Sequence, residues 1–338
     1  MKPKDDLDKK IEEAVRAEEA NQFLNAAFFY RDALKLAIKL ENSRLIKLCK
    51  IKVVEMNKKA IKSGKDFKEV EIKLEFTEEQ QKAIKTLIEN IIKSKNPKTI
   101  LRIIGIHPIF TMDLEATEKQ AIQSTPIFFQ FGNTSTISDK GHSIRGSSDP
   151  RYSWFMDTYR RNQELILNVY LARLMYKLMN DKTFKAKLTI KDLSEYFSSS
   201  RIIPPQNLEI ILVGLKKYFE KDYISAMHIL VPQFEAVFLS IAERCGIDIV
   251  ALDQKQDVAT RTKTLSEYHL DSKAFKDIFG EDFCSQIKFI LFEPLGLKIR
   301  HKVAHGEISP NECNFSNVTL VVYLYLVLLA HVGTEDKE

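Results

Sequence analysis

The feature that most constrains this chain is its shortage of helix breakers. Across 338 residues there are only 11 glycines and 10 prolines, and long stretches hold neither. Glycine and proline cost about 1 and about 3 kcal/mol in a helix interior. Between them the chain is rich in Lys, Glu, Leu, Ile and Ala, which all favour helix. A mainly α fold is therefore expected. With 44% hydrophobic and 29% charged residues the composition is globular, which excludes a chain disordered throughout. The length is generous for one core, so more than one domain is expected.

A net charge of +5 suits a polyanionic partner, although a lysine-rich solvated surface gives the same number. Cys49, Cys245, Cys284 and Cys313 stand far apart with no CxxC pair, so neither a zinc ribbon nor a dithiol motif is expected. The opening Met-Lys-Pro-Lys-Asp-Asp lacks the apolar core of a signal peptide, and a reducing cytoplasm is the expected compartment. Val318 to Val332 is apolar on every side but falls short of the roughly 20 residues a bilayer requires. Such a helix is expected in a core or a subunit interface, not in a membrane.

Along the chain, Ala26, Tyr30, Ala33 and Ala37 recur on one helical face, and residues 26–34 alternate small and aromatic side chains as tetratricopeptide-like hairpins do. No second copy follows at a fixed period, so a hairpin packed on its neighbours is expected, not a repeat array. Thr77-Glu78-Glu79-Gln80 is a capping box ahead of Ala83, Ile84, Leu87, Ile88 and Ile91, on a helix ending near 94–97. A short helix should follow and stop at Pro108. Residues 126–145 are the one strand-like passage, with turns that allow at most one small β-hairpin. Its Phe128, Phe129 and Phe131 read as core, with base stacking as the alternative. Trp154, Phe155 and Tyr159 read as a core stripe. Ser198-Ser199-Ser200 and Pro204-Pro205 mark a linker.

The expected organisation is an N-terminal helical domain over 1–125, a loop, hairpin and connecting helices over 126–206, and a helical bundle over 207–338. Within the bundle, a first helix should run to about Glu220. A second should carry Pro232 and end near Cys245 before Gly246. Further helices are expected near 258–279, 282–292, 297–305 and 316–332.

No GxxxxGK[ST] phosphate loop and no GxSxG elbow occurs. The segment that carries chemistry is Arg300-His301-Lys302-Val303-Ala304-His305-Gly306. Its Arg-x4-His spacing is cheap, since Arg102 and His107 repeat it just before Pro108. The surroundings add to it: Tyr-Ile-Ser-Ala-Met-His-Ile-Leu-Val-Pro-Gln-Phe-Glu over Tyr223 to Glu235, and Gly296-Leu297-Lys298-Ile299 directly upstream. Together these resemble the HEPN superfamily, and within it a domain family of unknown function with an RNxxxHG signature. The resemblance covers about residues 207–332. It departs from the signature at His301, where that family usually has Asn.

The resemblance implies a HEPN-like helical bundle acting as a metal-independent endoribonuclease, with Arg300 and His305 catalytic, no cofactor, and RNA as substrate. It also implies a homodimer whose cleft both protomers build, and a bacterial defence or toxin setting. The residue types suit that chemistry. Histidine can accept or donate a proton near neutral pH. Arginine stays charged and offers planar donors to phosphate oxygens. Five helical steps put Arg300 and His305 ~140° apart. They converge only if the helix ends before His305, or across a two-fold axis.

Supporting roles are expected for His301, for Glu235 and His228 on one face of their helix, and for Gln233. Glu235 is placed to orient Arg300 or His305 through a charge-assisted bond, with a buried structural pair as the alternative. Lys302 reads as a phosphate contact or as a solvated lysine. His301 and His305 have the spacing of a zinc pair, but Lys302 stands where a zincin has its Glu, so no metal is expected. The alternative function is a non-catalytic HEPN fold that binds RNA, nucleotide or protein, with a helical N-terminus recruiting a protein partner.

Overall fold

Helix starts in this chain are written by short polar side chains. In this computed structural model, Asn42, Thr77, Asn96, Asp113, Thr189 and Asp222 each accept a backbone N–H from the first turn that follows them. Each bond satisfies a donor that the helix itself leaves open. The structure describes residues 3–65, 67, 77–94, 96–125, 136–138, 140–144, 150–180, 187–252 and 260–332. They are mainly helical, as the scarcity of breakers requires. The chain divides into two compact units, Met1–Lys73 with Phe128–Ser153, and Leu74–Ile127 with Trp154–Glu338.

In the first unit α1 (Pro3–Glu19), α2 (Phe23–Lys39) and α3 (Ser43–Ser63) pack in succession. The face Ala26, Tyr30, Ala33, Ala37 is buried, as its spacing requires. Both connections put one residue in the left-handed region, Asn21 (φ 56°) and Glu41 (φ 52°). The next N–H then reaches back across the helix end, Gln22 to the Ala17 carbonyl (2.9 Å) and Asn42 to that of Ala37 (3.0 Å). This is Schellman closure. Glu18 ties the helices together, accepting from Lys52 and Lys59 at 3.1 Å each and from the Tyr30 hydroxyl at 3.2 Å. Two short strands, β1 (Thr136–Ile137) and β2 (Ser143–Ile144), pair antiparallel inside the window expected for a hairpin. Buried Asn57 of α3 holds them, donating to the Gly141 carbonyl (2.8 Å) and to Ser143 Oγ (3.2 Å). Phe128, Phe129 and Phe131 lie outside the described residues.

The remaining helices are α4 (Glu78–Lys93), α5 (Pro97–Ile106), α6 (Leu114–Ser124) and α7 (Pro150–Gln163). A π-helical stretch, Glu164–Leu171, runs on from α7 into α8 (Ala172–Asn180), followed by α9 (Ile190–Ser198), α10 (Pro205–Phe219) and α11 (Tyr223–Arg244). Strands β3 (Val250–Leu252) and β4 (Thr260–Thr262) precede α12 (Glu267–Asp271), α13 (Lys273–Phe279), α14 (Glu281–Leu291), α15 (Ile299–Ala304) and α16 (Phe315–Val332). The Thr77 capping box, the stop before Pro108 and the end of α11 at Cys245-Gly246 fall where local chemistry placed them. Helix α11 continues through Pro232, which leaves the His228 carbonyl without its intrahelical donor.

Two expectations change. Residues 260–262 are not helical but pair with β3, as the alternating β-branched Thr260 and Thr262 favour. The Ser-Pro stretch at 199–204 joins α9 to α10 inside one unit. There Ile202 and Ile203 are buried, which makes it a packed corner instead of a linker.

Helix α16 forms the centre of the second unit, with Val318 through Ala330 buried. It packs against α5, α8, α11 and the π-helical stretch. It is consumed by the core of its own chain, so it offers no apolar face to a second copy. Tyr218 Oη and Thr319 Oγ1 share a hydrogen bond (2.7 Å), and the Tyr325 hydroxyl donates to the Leu230 carbonyl (2.8 Å). These bonds set α10 and α11 against α16. Trp154 and Tyr159 are buried and Phe155 is half-buried, in keeping with a core stripe.

Candidate functional site

Helix α15 is short because the chain on each side of it is specified residue by residue. After α14, the Leu297 N–H donates back to the Phe289 carbonyl at 3.0 Å. A Cβ on Gly296 would collide with that same carbonyl, so the turn needs glycine. Lys298 follows at φ 53°, an uncommon conformation for a residue with a side chain. Buried Ile299 then anchors the first turn. At the other end His305 is the C-cap and Gly306 adopts φ 64°. The Glu307 N–H reaches the Lys302 carbonyl (2.7 Å) and the Gly306 N–H that of Val303 (3.3 Å), a Schellman closure.

A side chain at Gly306 would meet no atom, so only its left-handed backbone matters. Gly306→Ala should cost about 1 kcal/mol and Gly306→Asn less, read from urea midpoints. Equal stability of all three proteins would show that this helix end is not closed as described.

Glu235 of α11 holds Arg300. Arg300 Nε donates to Glu235 Oε2 at 3.0 Å and Nη2 to Oε1 at 3.4 Å. Oε1 also accepts the Leu265 N–H at 2.9 Å. The pair is largely enclosed, with side chains 22% and 15% exposed. The guanidinium lies 5.9 Å from the Phe292 ring centroid. His228 and Gln233 go elsewhere. His228 is exposed and its Nδ1 bonds the Ile224 carbonyl one turn back (2.8 Å). Gln233 accepts from Asn207 (2.8 Å) and so ties α10 to α11. Lys302 is ion-paired with Glu312, whose other oxygen accepts from the Ser309 N–H and hydroxyl at 2.9 and 2.8 Å.

His301 and His305 come together, one turn apart on one face, with ring centroids 4.3 Å apart and planes at 48°. His305 is exposed, and among the described residues its ring has no hydrogen-bond partner. His301 is 38% exposed, with Nε2 3.9 Å from Glu307 Oε2. Burial pushes the His301 imidazole below its ordinary pKa. Lys298, His305 and Arg300 act in the same direction, and Glu307 opposes them. His301 is therefore neutral at pH 7. No hydrogen bond or ring contact joins Arg300 to His305. Among the described residues no group of three or more His, Cys, Asp or Glu converges as a metal site. The second Arg-x4-His differs in kind. His107 caps a short 3-10 turn, accepting the Ile109 N–H at 3.4 Å.

Three histidines, His107, His269 and His301, are held down chiefly by burial. On unfolding they regain the ordinary value, so the unfolded chain binds protons that the fold refuses. Their stability contribution is complete above pH ~6.5 and is lost as pH falls from there through their lower folded values. The melting temperature should therefore fall between pH 7.5 and pH 5. A flat or rising profile over that range would overturn these assignments.

Sequence reasoning missed Phe292, the Leu265 N–H, Glu307 and Glu312. Only Glu307, directly after the His-Gly pair, carried a usable signal. The other contacts come from loops with no local pattern. No family model, no curated protein and no solved structure matches this chain.

Proposed function

We propose that the chain is a HEPN-type endoribonuclease that cleaves RNA without a metal, through attack of the substrate's own 2′-hydroxyl on the adjacent phosphate. The observation that carries this reading is the presence, on one short motif segment, of an exposed imidazole, His305, and a guanidinium held in place by Glu235, Arg300. Arg300 neutralises charge that develops on the phosphate oxygens. His305 carries proton transfer. Glu235 positions Arg300, and Lys302 reaches phosphate only by leaving Glu312. Since Arg300 and His305 do not touch within one chain, a homodimer that draws them from two protomers fits this reading. The N-terminal helices are left for a regulating protein partner, in a cytoplasmic defence or toxin setting.

One observation favours a second reading. The Arg300–Glu235 pair is enclosed and well bonded within one chain, as a structural clamp would be. That suits a non-catalytic HEPN fold that binds RNA, nucleotide or protein.

The deciding experiment is cleavage of end-labelled single-stranded RNA by wild type in EDTA. Cleavage that persists and leaves 2′,3′-cyclic phosphate and 5′-hydroxyl ends is expected. If folded protein leaves every RNA class intact, tRNA included, the second reading replaces the first.

A further inference from the structure

We infer that His301 is the positioning residue for His305, its ring packed against the His305 imidazole and holding it in place. In its catalytic consequences this rests on the nuclease reading above.

The backbone fixes the pair. His301 and His305 are one turn apart, and the His305 N–H donates to the His301 carbonyl at 3.0 Å. The closure at Gly306 and Glu307 prevents that turn from unwinding. The rings meet at 4.3 Å between centroids. Two imidazolium ions at that distance repel strongly, whereas one cation against a neutral aromatic face is attracted.

The surroundings keep the His301 ring neutral. Lys298 and Arg300 stand against a proton on His301, and Glu307 alone favours one, from 3.9 Å. From α11, Glu235 is taken up by Arg300 and the Leu265 N–H. Lys302 is neutralised by Glu312. His305 faces water. Burial and the Lys298 and Arg300 cations together resist a proton on His301, so its ring takes one up only in acid.

In the reaction the 2′-oxygen–phosphorus bond forms and the phosphorus–5′-oxygen bond breaks. The hydroxyl proton leaves to solvent, and protonated His305 gives its proton to the departing 5′-oxygen. His301 exchanges no proton with the substrate and supplies a neutral face.

An aromatic ring that cannot titrate should therefore replace His301. His301→Phe is expected to retain most of the wild-type rate and to keep activity at lower pH, because a proton taken up by His301 sets the two rings apart and phenylalanine takes up none. His301→Ala, which frees His305 to move, is expected to lose about 10²-fold. By NMR, His305→Ala should raise the midpoint at which His301 takes up a proton. Loss of activity in His301→Phe as deep as in His305→Ala overturns the inference, as does full activity in His301→Ala or an unchanged His301 midpoint in His305→Ala. If wild type cleaves no RNA, the nuclease reading fails by itself, and the His301 midpoint in wild type and His305→Ala still decides whether the rings are paired.

Discussion

Alanine at position 305 is expected to lower RNA cleavage by about 10²- to 10⁴-fold, the usual contribution of a positioned acid–base group. That corresponds to about 2.7–5.5 kcal/mol of transition-state stabilisation. The fold should not register the change. The His305 side chain is exposed, and the capping bonds of this turn are made by backbone that alanine retains. Unfolding free energy should therefore stay within about 0.5 kcal/mol of wild type. Arg300→Ala should lose activity to a similar degree but also stability, because Glu235 would keep only the Leu265 N–H. Losing a charged hydrogen-bonded partner there costs about 1.5–3 kcal/mol. Measuring cleavage and urea unfolding together separates chemistry from folding. If His305→Ala cleaves as wild type does, the nuclease assignment of this motif is wrong. If only Arg300→Ala loses function, in step with stability, the guanidinium is a structural clamp.

Gly105→Ala is expected to destabilise the second unit by about 1–3 kcal/mol from overpacking. Gly105 lies in α5, buried where that helix crosses α16. A Cβ there would collide with the Leu326 carbonyl and come within 2.9 Å of the Ala330 methyl. Backbone cannot swing aside as a flexible side chain can, so the two helices must separate. Gly105→Val should be worse than Gly105→Ala. The loss would reach the candidate site, because α16 also holds α11 through Tyr325 and the Leu230 carbonyl, and α11 carries Glu235. Urea denaturation of the two variants tests this. Wild-type stability in both would show that α5 and α16 do not approach so closely.

Much of the helical framework was legible because its determinants are local. The Thr77 capping box, the buried face from Ala26 to Ala37, and the glycines at 246 and 306 each act over a few residues. Glu235 was expected to orient Arg300 or His305 through a charge-assisted bond, and in the structure its carboxylate holds Arg300. Local pattern failed where a segment lacks its own period. Residues 260–262 read as helix until β3 is there to pair with them, and 199–204 read as a linker until the burial of Ile202 and Ile203 is seen.

The sequence by itself determined that the chain is mainly helical, where several helices begin or end, and that His305 shares a face with His301. These follow from a 3.6-residue period and from caps that reach no further than one turn. Only the tertiary structure decided that α16 is enclosed on all sides, that Glu312 takes Lys302, that Leu265 shares Glu235, and that Asn57 captures the hairpin 84 residues away. Those partners are distant in the chain, and which of many polar groups meets which is settled only when the apolar faces have packed.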